Sequence, residues 1–199
     1  MATRIKVKGI LSFPAVFKPK AANDDSDPRY GVNVLLDPDD PQVNDIRTVI
    51  KEAATEKWGK KAATILKQLQ AQDRICLHDG NLKDYAGYEG RLYLSAASKT
   101  RPTVVDRRRN PVTEADGLIY AGAVGIVLVD IWAQDNQYGK RVNAALAGIQ
   151  FYAHGEPLAG GRPASTDEFD EFEEDADEDE ATQQDSHAAD TDDDDDLPW

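Results

Sequence analysis

Basic side chains that could follow a phosphate backbone are concentrated in residues 98–111. This segment carries five cations and a single opposing acid, Asp106. Each cation that neutralises a phosphate releases counterions, so such an excess favours binding to a nucleic-acid strand. A solvated surface loop could have the same composition, and the residues alone leave that alternative open. The candidate DNA-binding cations of this segment are Lys99, Arg101, Arg107, Arg108 and Arg109.

Aromatic rings interleaved with further cations indicate a single strand as the ligand, because rings stack on bases while cations follow the backbone. Trp132 ends a long apolar run, and Tyr138 lies in a turn-prone segment beside two basic residues. Tyr93 shares its strand face with an arginine, and a glycine-containing loop adds Tyr85 and Tyr88. Tyr93 and Trp132 could equally pack in a hydrophobic core. The candidates of this group are Arg91, Tyr93, Trp132, Tyr138, Lys140 and Arg141.

The last eight residues, DDDDDLPW, place an apolar unit directly after a run of aspartates. The carboxylates would attract a basic partner surface at long range, and Trp199 would supply an anchor that is buried on binding. A purely solubilising tail would explain the acids but not the apolar end. We therefore predict a partner-docking motif made of Asp192, Asp193, Asp194, Asp195, Asp196, Leu197, Pro198 and Trp199.

The sequence contains none of the common catalytic motifs. Nucleotide-binding glycine loops, the G-x-S-x-G elbow and the H-E-x-x-H zinc motif are all absent. Cys76 and His78 lie two apart, but the apolar neighbours of Cys76 predict a buried thiol rather than a nucleophile or ligand. Cys76 is the only cysteine, which excludes an intrachain disulfide and a four-cysteine zinc site. We predict a protein that is not an enzyme and has no metal site and no cofactor.

The net charge of −14 averages over two unlike parts of the chain. Residues 161–199 hold 18 of the 37 acidic residues and one of the 23 basic ones, a charge of −17, which leaves +3 for residues 1–160. A basic body with an acidic tail is typical of a nucleic-acid binder. We predict a folded domain over 1–160 and a disordered tail over 161–199, where dense like charge opposes burial. The glycine- and proline-rich stretch 156–164 is the predicted hinge.

Hydrophobic periodicity predicts five strands with a helical insert between the second and the third. Asp40 can cap the first helix, Pro41 suits its first turn and Gly59 its end, and a short second helix follows around 62–69. A turn at NQYGK predicts a hairpin between the last two strands. A five-stranded antiparallel barrel of the OB-fold type would close such a set without long edges, although composition alone does not separate it from a small sandwich. The predicted strands cover 4–13, 29–37, 91–97, 121–135 and 140–154.

Three segments and the acidic end of the chain resemble one known group of proteins. The segments are PRYGVNVLLDPDDPQ, YEGRLYLSAASKTRP and IYAGAVGIVLVDIWAQD. These are the single-stranded-DNA-binding proteins of tailed bacteriophages, in particular the group first catalogued as the DUF2815 type. The resemblance implies an OB-fold core, sequence-tolerant binding of single-stranded DNA, and roles in phage replication, recombination and repair. The tail is similar to that of bacterial single-stranded-DNA-binding proteins, which end in Ile-Pro-Phe after an acidic run.

The expected partners are single-stranded DNA and, through the tail, replication or recombination proteins. The chain has no apolar run long enough to span a bilayer, so we expect no membrane partner and a location in the cytoplasm of the infected bacterial cell. A homo-oligomer is left open. Two rival functions are an acidic chaperone or DNA mimic that binds basic proteins through its tail, and a metal-dependent nuclease that uses scattered acids of the body.

Overall fold

The computed structural model describes residues 2–21 and 26–158, which belong to one compact unit. The predicted tail, its docking motif and the end of the predicted hinge lie outside these residues. The predicted mainly-β class is confirmed. The elements in chain order are β1 (Thr3–Lys20), β2 (Arg29–Leu36), α1 (Pro41–Trp58), α2 (Ala62–Ala71), β3 (Leu77–Asp79), β4 (Leu92–Ser98), β5 (Thr103–Val105), β6 (Val124–Asn136) and β7 (Gly139–Ala153).

The helical insert lies between the second and third predicted strands, as expected, and its first helix, α1, begins and ends at the predicted residues. The Asp40 carboxylate accepts a hydrogen bond from the backbone N–H of Gln42 at 3.0 Å, which satisfies one of the free donors at the start of α1. Gly59 follows the helix with φ of 55°, a conformation that glycine adopts without steric cost. The apolar stripe packs into the core through Val43, Ile46, Ile50 and Ala54.

The sheet contains seven strands in the order β3-β4-β2-β1-β6-β7-β5. All five predicted strands are present as β1, β2, β4, β6 and β7, and β6 and β7 form the predicted hairpin. The prediction of a closed five-stranded barrel is not confirmed, because within the described residues the sheet is open and β3 and β5 extend its two edges. Each of these two strands has only three residues, too few to show an alternating pattern in the sequence. One parallel bridge, from Ile75 to Val142, links the α2–β3 connection to β7.

The main core lies on the inner face of the sheet, beneath the two helices. Alternate residues of β6, including Val127, Val129 and Ile131, are fully buried there. A second, smaller cluster lies on the opposite face, where the loop of residues 80–91 covers β2 and β4. Its buried members are Leu35, Tyr88 and Tyr93.

Candidate nucleic-acid interface

A groove of about 890 Å³ lies between β4 and the β6–β7 hairpin. Ser95 and Ala97 line it from β4, where they alternate with buried Leu94 and Ala96 and therefore point away from the core. The lining contains four basic residues and one acidic residue, Asp73. This excess of positive charge suits a polyanion. The four cations are Arg29, Arg74, Lys99 and Arg141.

Two predicted aromatic contacts line this groove from the hairpin. Trp132 follows buried Ile131 on β6, so the strand alternation turns its ring away from the core, and the residue is 36% exposed. Tyr138 lies in the tight turn between Asn136 and Gly139 and is 75% exposed. Both rings are accessible beside the basic lining, which is the arrangement that stacks on the bases of a single strand.

Both predicted lysines form ion pairs. Lys99 Nζ lies 2.6 Å from Asp27 Oδ2, and Lys140 Nζ lies 2.9 Å from Asp135 Oδ2. In each pair the hydrogen bond from the lysine lowers the pKa of the aspartate. Exposed pairs of this kind contribute little to stability, so a phosphate can replace the carboxylate at small cost. The Asp135 carboxylate also accepts a hydrogen bond from Trp58 Nε1, which holds it in place.

Tyr93, a predicted DNA contact, lies beneath other side chains in this structure. It points to the same side of the sheet as the groove but is only 5% exposed, because the ring of Tyr88 packs 5.1 Å away. Burial raises the pKa of the Tyr93 phenol to about 12. The His78 ring stacks on that of Tyr93 at 4.7 Å and an interplanar angle of 16°, and His78 itself lines the groove. Tyr93 therefore supports a groove residue and does not present its own ring to solvent.

His78 is held from a second direction by Asp73. Nδ1 of the imidazole lies 2.5 Å from Oδ1 of Asp73, and this hydrogen bond lowers the pKa of the carboxyl group. The Asp73 backbone has a φ of 54°, an uncommon conformation for a non-glycine residue. The imidazole thus has a defined orientation at the edge of the groove.

The three consecutive arginines lie in the turn that follows β5, outside the groove lining. Arg107 Nε donates a hydrogen bond to the backbone carbonyl of Tyr152 near the end of β7. From Asn143, in the groove, to Tyr152 the strand advances roughly 30 Å at about 3.3 Å per residue. Lys8 Nζ lies 3.6 Å from the centroid of the Tyr152 ring. Arg107 and Lys8, which both lie against the Tyr152 ring, therefore form a basic region apart from the groove, and Arg108 and Arg109 follow Arg107 in the chain.

The two remaining predicted cations lie outside the lining of the groove. Arg91 Nη1 donates to the carbonyl of Gly87 at 2.8 Å and so braces the 80–91 loop. Arg101 is exposed in the connection between β4 and β5. Of the eleven predicted DNA-binding residues, the structure brings Lys99, Trp132, Tyr138 and Arg141 together in the groove lining.

Sequence reasoning missed three groove residues that bear a positive charge or an aromatic ring. Arg29 begins β2, Arg74 follows α2 and His78 lies in β3, and no local pattern marks any of them as a contact. Only strand pairing across long sequence distances brings them to one surface. Their basic or aromatic character was the sole signal, and exposed residues elsewhere in the chain share it.

Other expectations about chemistry can be compared with the described residues. Cys76 is buried, as predicted, and desolvation raises the pKa of its thiol to about 12. Within residues 2–21 and 26–158 no group of three or more histidine, cysteine, aspartate or glutamate side chains is arranged to hold a metal ion. No helix in these ranges is long and apolar enough to cross a membrane.

Comparison with protein families identifies the relatives of this fold. The model of the single-stranded-DNA-binding protein of Enterobacter phage Enc34 matches residues 3–182. The chain belongs to this family. It is also 37% identical over 173 residues to protein p50 of Acyrthosiphon pisum secondary endosymbiont phage 1, covering 85% of this chain and 94% of that protein. The resemblance inferred from the sequence is thereby confirmed.

Solved structures agree with the family assignment. The single-stranded DNA-binding protein from bacteriophage Enc34, solved in complex with single-stranded DNA, is 26% identical to this chain and superposes with a TM-score of 0.66. The match covers 78% of this chain and 89% of that chain. The single-stranded DNA binding protein gp2.5 of bacteriophage T7 is 12% identical with a TM-score of 0.52 over 84% of this chain and 93% of its own, a likeness of fold alone. The matching family and the Enc34 protein are named for binding single-stranded DNA, in agreement with the prediction of a DNA-binding protein that is not an enzyme.

Proposed function

We propose that the protein binds single-stranded DNA with little sequence specificity, through the groove between β4 and the β6–β7 hairpin. The observation that carries the proposal is the placement of Trp132 and Tyr138 among four basic residues of one lining. Stacking tolerates every base because each base has a π-face, and the cations contact a backbone that is the same at every position. The 26% identity to a phage protein solved with single-stranded DNA supports the same ligand.

The groove favours a single strand over a duplex for a physical reason. Base faces are already stacked on one another in duplex DNA, so Trp132 and Tyr138 would have to displace a neighbouring base pair to reach them. Unstacking a duplex step costs a few kcal/mol, which a single strand does not incur. Contacts with phosphates, in contrast, are equally available in single-stranded and in duplex DNA.

A titration of fluorescent oligo-dT and of a duplex of equal length, at the same salt concentration, tests this proposal. We expect clearly tighter binding of the single strand, and similar affinities for oligo-dT and a mixed-sequence single strand. Equal affinity for duplex and single strand would contradict stacking as the basis of recognition. Cleavage of the oligonucleotide in the presence of magnesium or manganese would favour the nuclease instead.

We further propose that the protein protects single-stranded DNA during phage replication, recombination and repair in the host cytoplasm, and recruits replication or recombination proteins through its acidic tail. This part rests on the sequence of residues 161–199 and on the family resemblance. Deleting only Leu197, Pro198 and Trp199 removes the apolar anchor and little of the charge. The deletion should abolish recruitment of a partner and leave DNA affinity nearly unchanged.

Removal of residues 165–199 separates this function from an acidic chaperone or DNA mimic. A DNA-binding protein keeps its affinity for oligo-dT without the tail, because Trp132, Tyr138 and the groove cations remain. A chaperone that acts through the acids would lose its binding to basic proteins and would show no dependence on the groove. Loss of oligo-dT binding in a truncated protein that still folds would contradict the groove as the DNA site.

A further inference from the structure

An exposed aromatic pair lies on the same side of the sheet as the groove but is not part of its lining. Phe13, on β1, and Tyr85, in the 80–91 loop, are 58% and 53% exposed. Their ring centroids are 5.1 Å apart in an edge-to-face arrangement. We call these two residues the Phe13–Tyr85 platform. Large apolar side chains held in water suggest that a ligand covers them.

The backbone at Phe13 adopts an uncommon conformation at an irregularity of β1. The pairing of β1 with β2 shifts register between Ser12 and Ala15, and Phe13 has a φ of 48°. An L-residue with a bulky side chain rarely adopts this conformation, and strain of this kind is concentrated at ligand-binding sites. Glycine would adopt the same conformation without penalty. Phe13 therefore occupies a position where both the backbone conformation and the exposure to water disfavour a phenylalanine.

Buried hydrogen bonds hold the platform in place from below. Tyr88 is fully buried, and its ring contacts Tyr85 at 5.4 Å and Phe13 at 6.4 Å. Its hydroxyl donates to Ser12 Oγ at 3.1 Å and accepts from Asn33 Nδ2 at 2.8 Å. The two exposed rings therefore rest on an anchored side chain, as stacking surfaces require, since a preorganised ring loses little entropy on binding.

A continuous series of rings joins the platform to the groove. Tyr88 packs on Tyr93 at 5.1 Å, and Tyr93 stacks at 4.7 Å on His78, which lines the groove. A cation lies beside this series, because Lys83 Nζ is 4.0 Å from Oδ2 of Asp73, another groove residue. Rings with an adjacent cation continue the chemistry of the groove across the same side of the sheet.

We propose that single-stranded DNA leaving the groove past His78 continues onto the Phe13–Tyr85 platform, where the exposed rings stack on bases. The inference rests on the proposed function and adds a second stacking region to it. The continuity with the groove and the adjacent Lys83 favour DNA over a protein partner as the occupant. A protein surface covering the same rings is the competing outcome of the test.

The experiment compares the full chain with the double variant Phe13→Ala/Tyr85→Ala on oligo-dT of increasing length. The shortest oligonucleotides occupy the groove and should bind both proteins equally. Longer ones that reach the platform should bind the variant about 5- to 150-fold more weakly, the range expected for the loss of stacking on one base. Leu82→Ala removes a 73% exposed apolar side chain from the same loop without removing a ring, and should behave like the unaltered protein.

Phe13→Gly keeps the test decisive even if the double variant folds poorly. Because glycine relieves the strained φ, this variant should melt at a higher temperature and still lose affinity for long oligonucleotides. A lower melting temperature with unchanged DNA binding would assign Phe13 a structural role and overturn the proposal. Equal affinities of the unaltered protein and the variants at every length would overturn the platform while leaving the groove intact. If the unaltered protein bound no oligonucleotide, the proposed function itself would be wrong.

Discussion

The salt dependence of DNA binding is the most direct measure of the groove's basic lining. Replacing Arg74 and Arg141 by glutamine removes two of its four cations and keeps side chains of similar length. If each cation neutralises one phosphate, log affinity should fall with log salt at a slope of about −2.8 for the unaltered protein and about −1.4 for the variant. Between 50 and 200 mM salt this corresponds to losses of roughly 50-fold and 7-fold in affinity.

Fluorescence anisotropy of a labelled oligo-dT short enough to be confined to the groove, at four or more salt concentrations, gives both slopes. A matched control, Lys51→Gln/Lys67→Gln, removes the same charge from exposed helix positions that do not line the groove. Its slope should equal that of the unaltered protein, because counterion release counts contacts with phosphates and not net charge. Thermal melting of both variants checks that they fold. A slope that stays unchanged in the groove variant, or that falls equally in the control, would refute the assignment of the groove as the phosphate track.

Three further predictions address a ring, the distant arginines and the buried thiol. Trp132→Ala should cost about 1–3 kcal/mol of oligo-dT binding with little change of salt slope, and a changed slope would mean that the ring is not acting by stacking. Replacing Arg107, Arg108 and Arg109 by alanine should weaken binding of long oligonucleotides uniformly across sequences and make their salt slope shallower, whereas short oligonucleotides confined to the groove should bind as before. In the folded protein Cys76 should resist iodoacetamide at about pH 8, because burial raises its thiol pKa to about 12 and leaves little thiolate. In denaturant the same thiol should react fully, and mass spectrometry measures both results.

The sequence by itself determined the features that depend on near neighbours. Alternation of apolar residues located the five long strands, and Asp40 and Gly59 marked the ends of the first helix because capping uses groups within one turn. The apolar neighbours of Cys76 were sufficient to predict its burial. Charge is additive along the chain, so the division into a basic body and an acidic tail required no structure at all.

Tertiary structure decided which of the candidate rings and cations share a surface. The alternation of residues along β4 correctly turns Tyr93 away from the main core, but the packing of the 80–91 loop then covers it. Trp132, whose sequence pattern is equally ambiguous, stays accessible. Arg29 and Arg74 reach the groove because β2 pairs with β4 and because Ile75 bridges to β7, contacts between residues far apart in sequence. Side-chain periodicity reflects only a few neighbouring residues. The exposure of a side chain, and its distance from other functional side chains, depend on which distant segments pack against each face of the sheet.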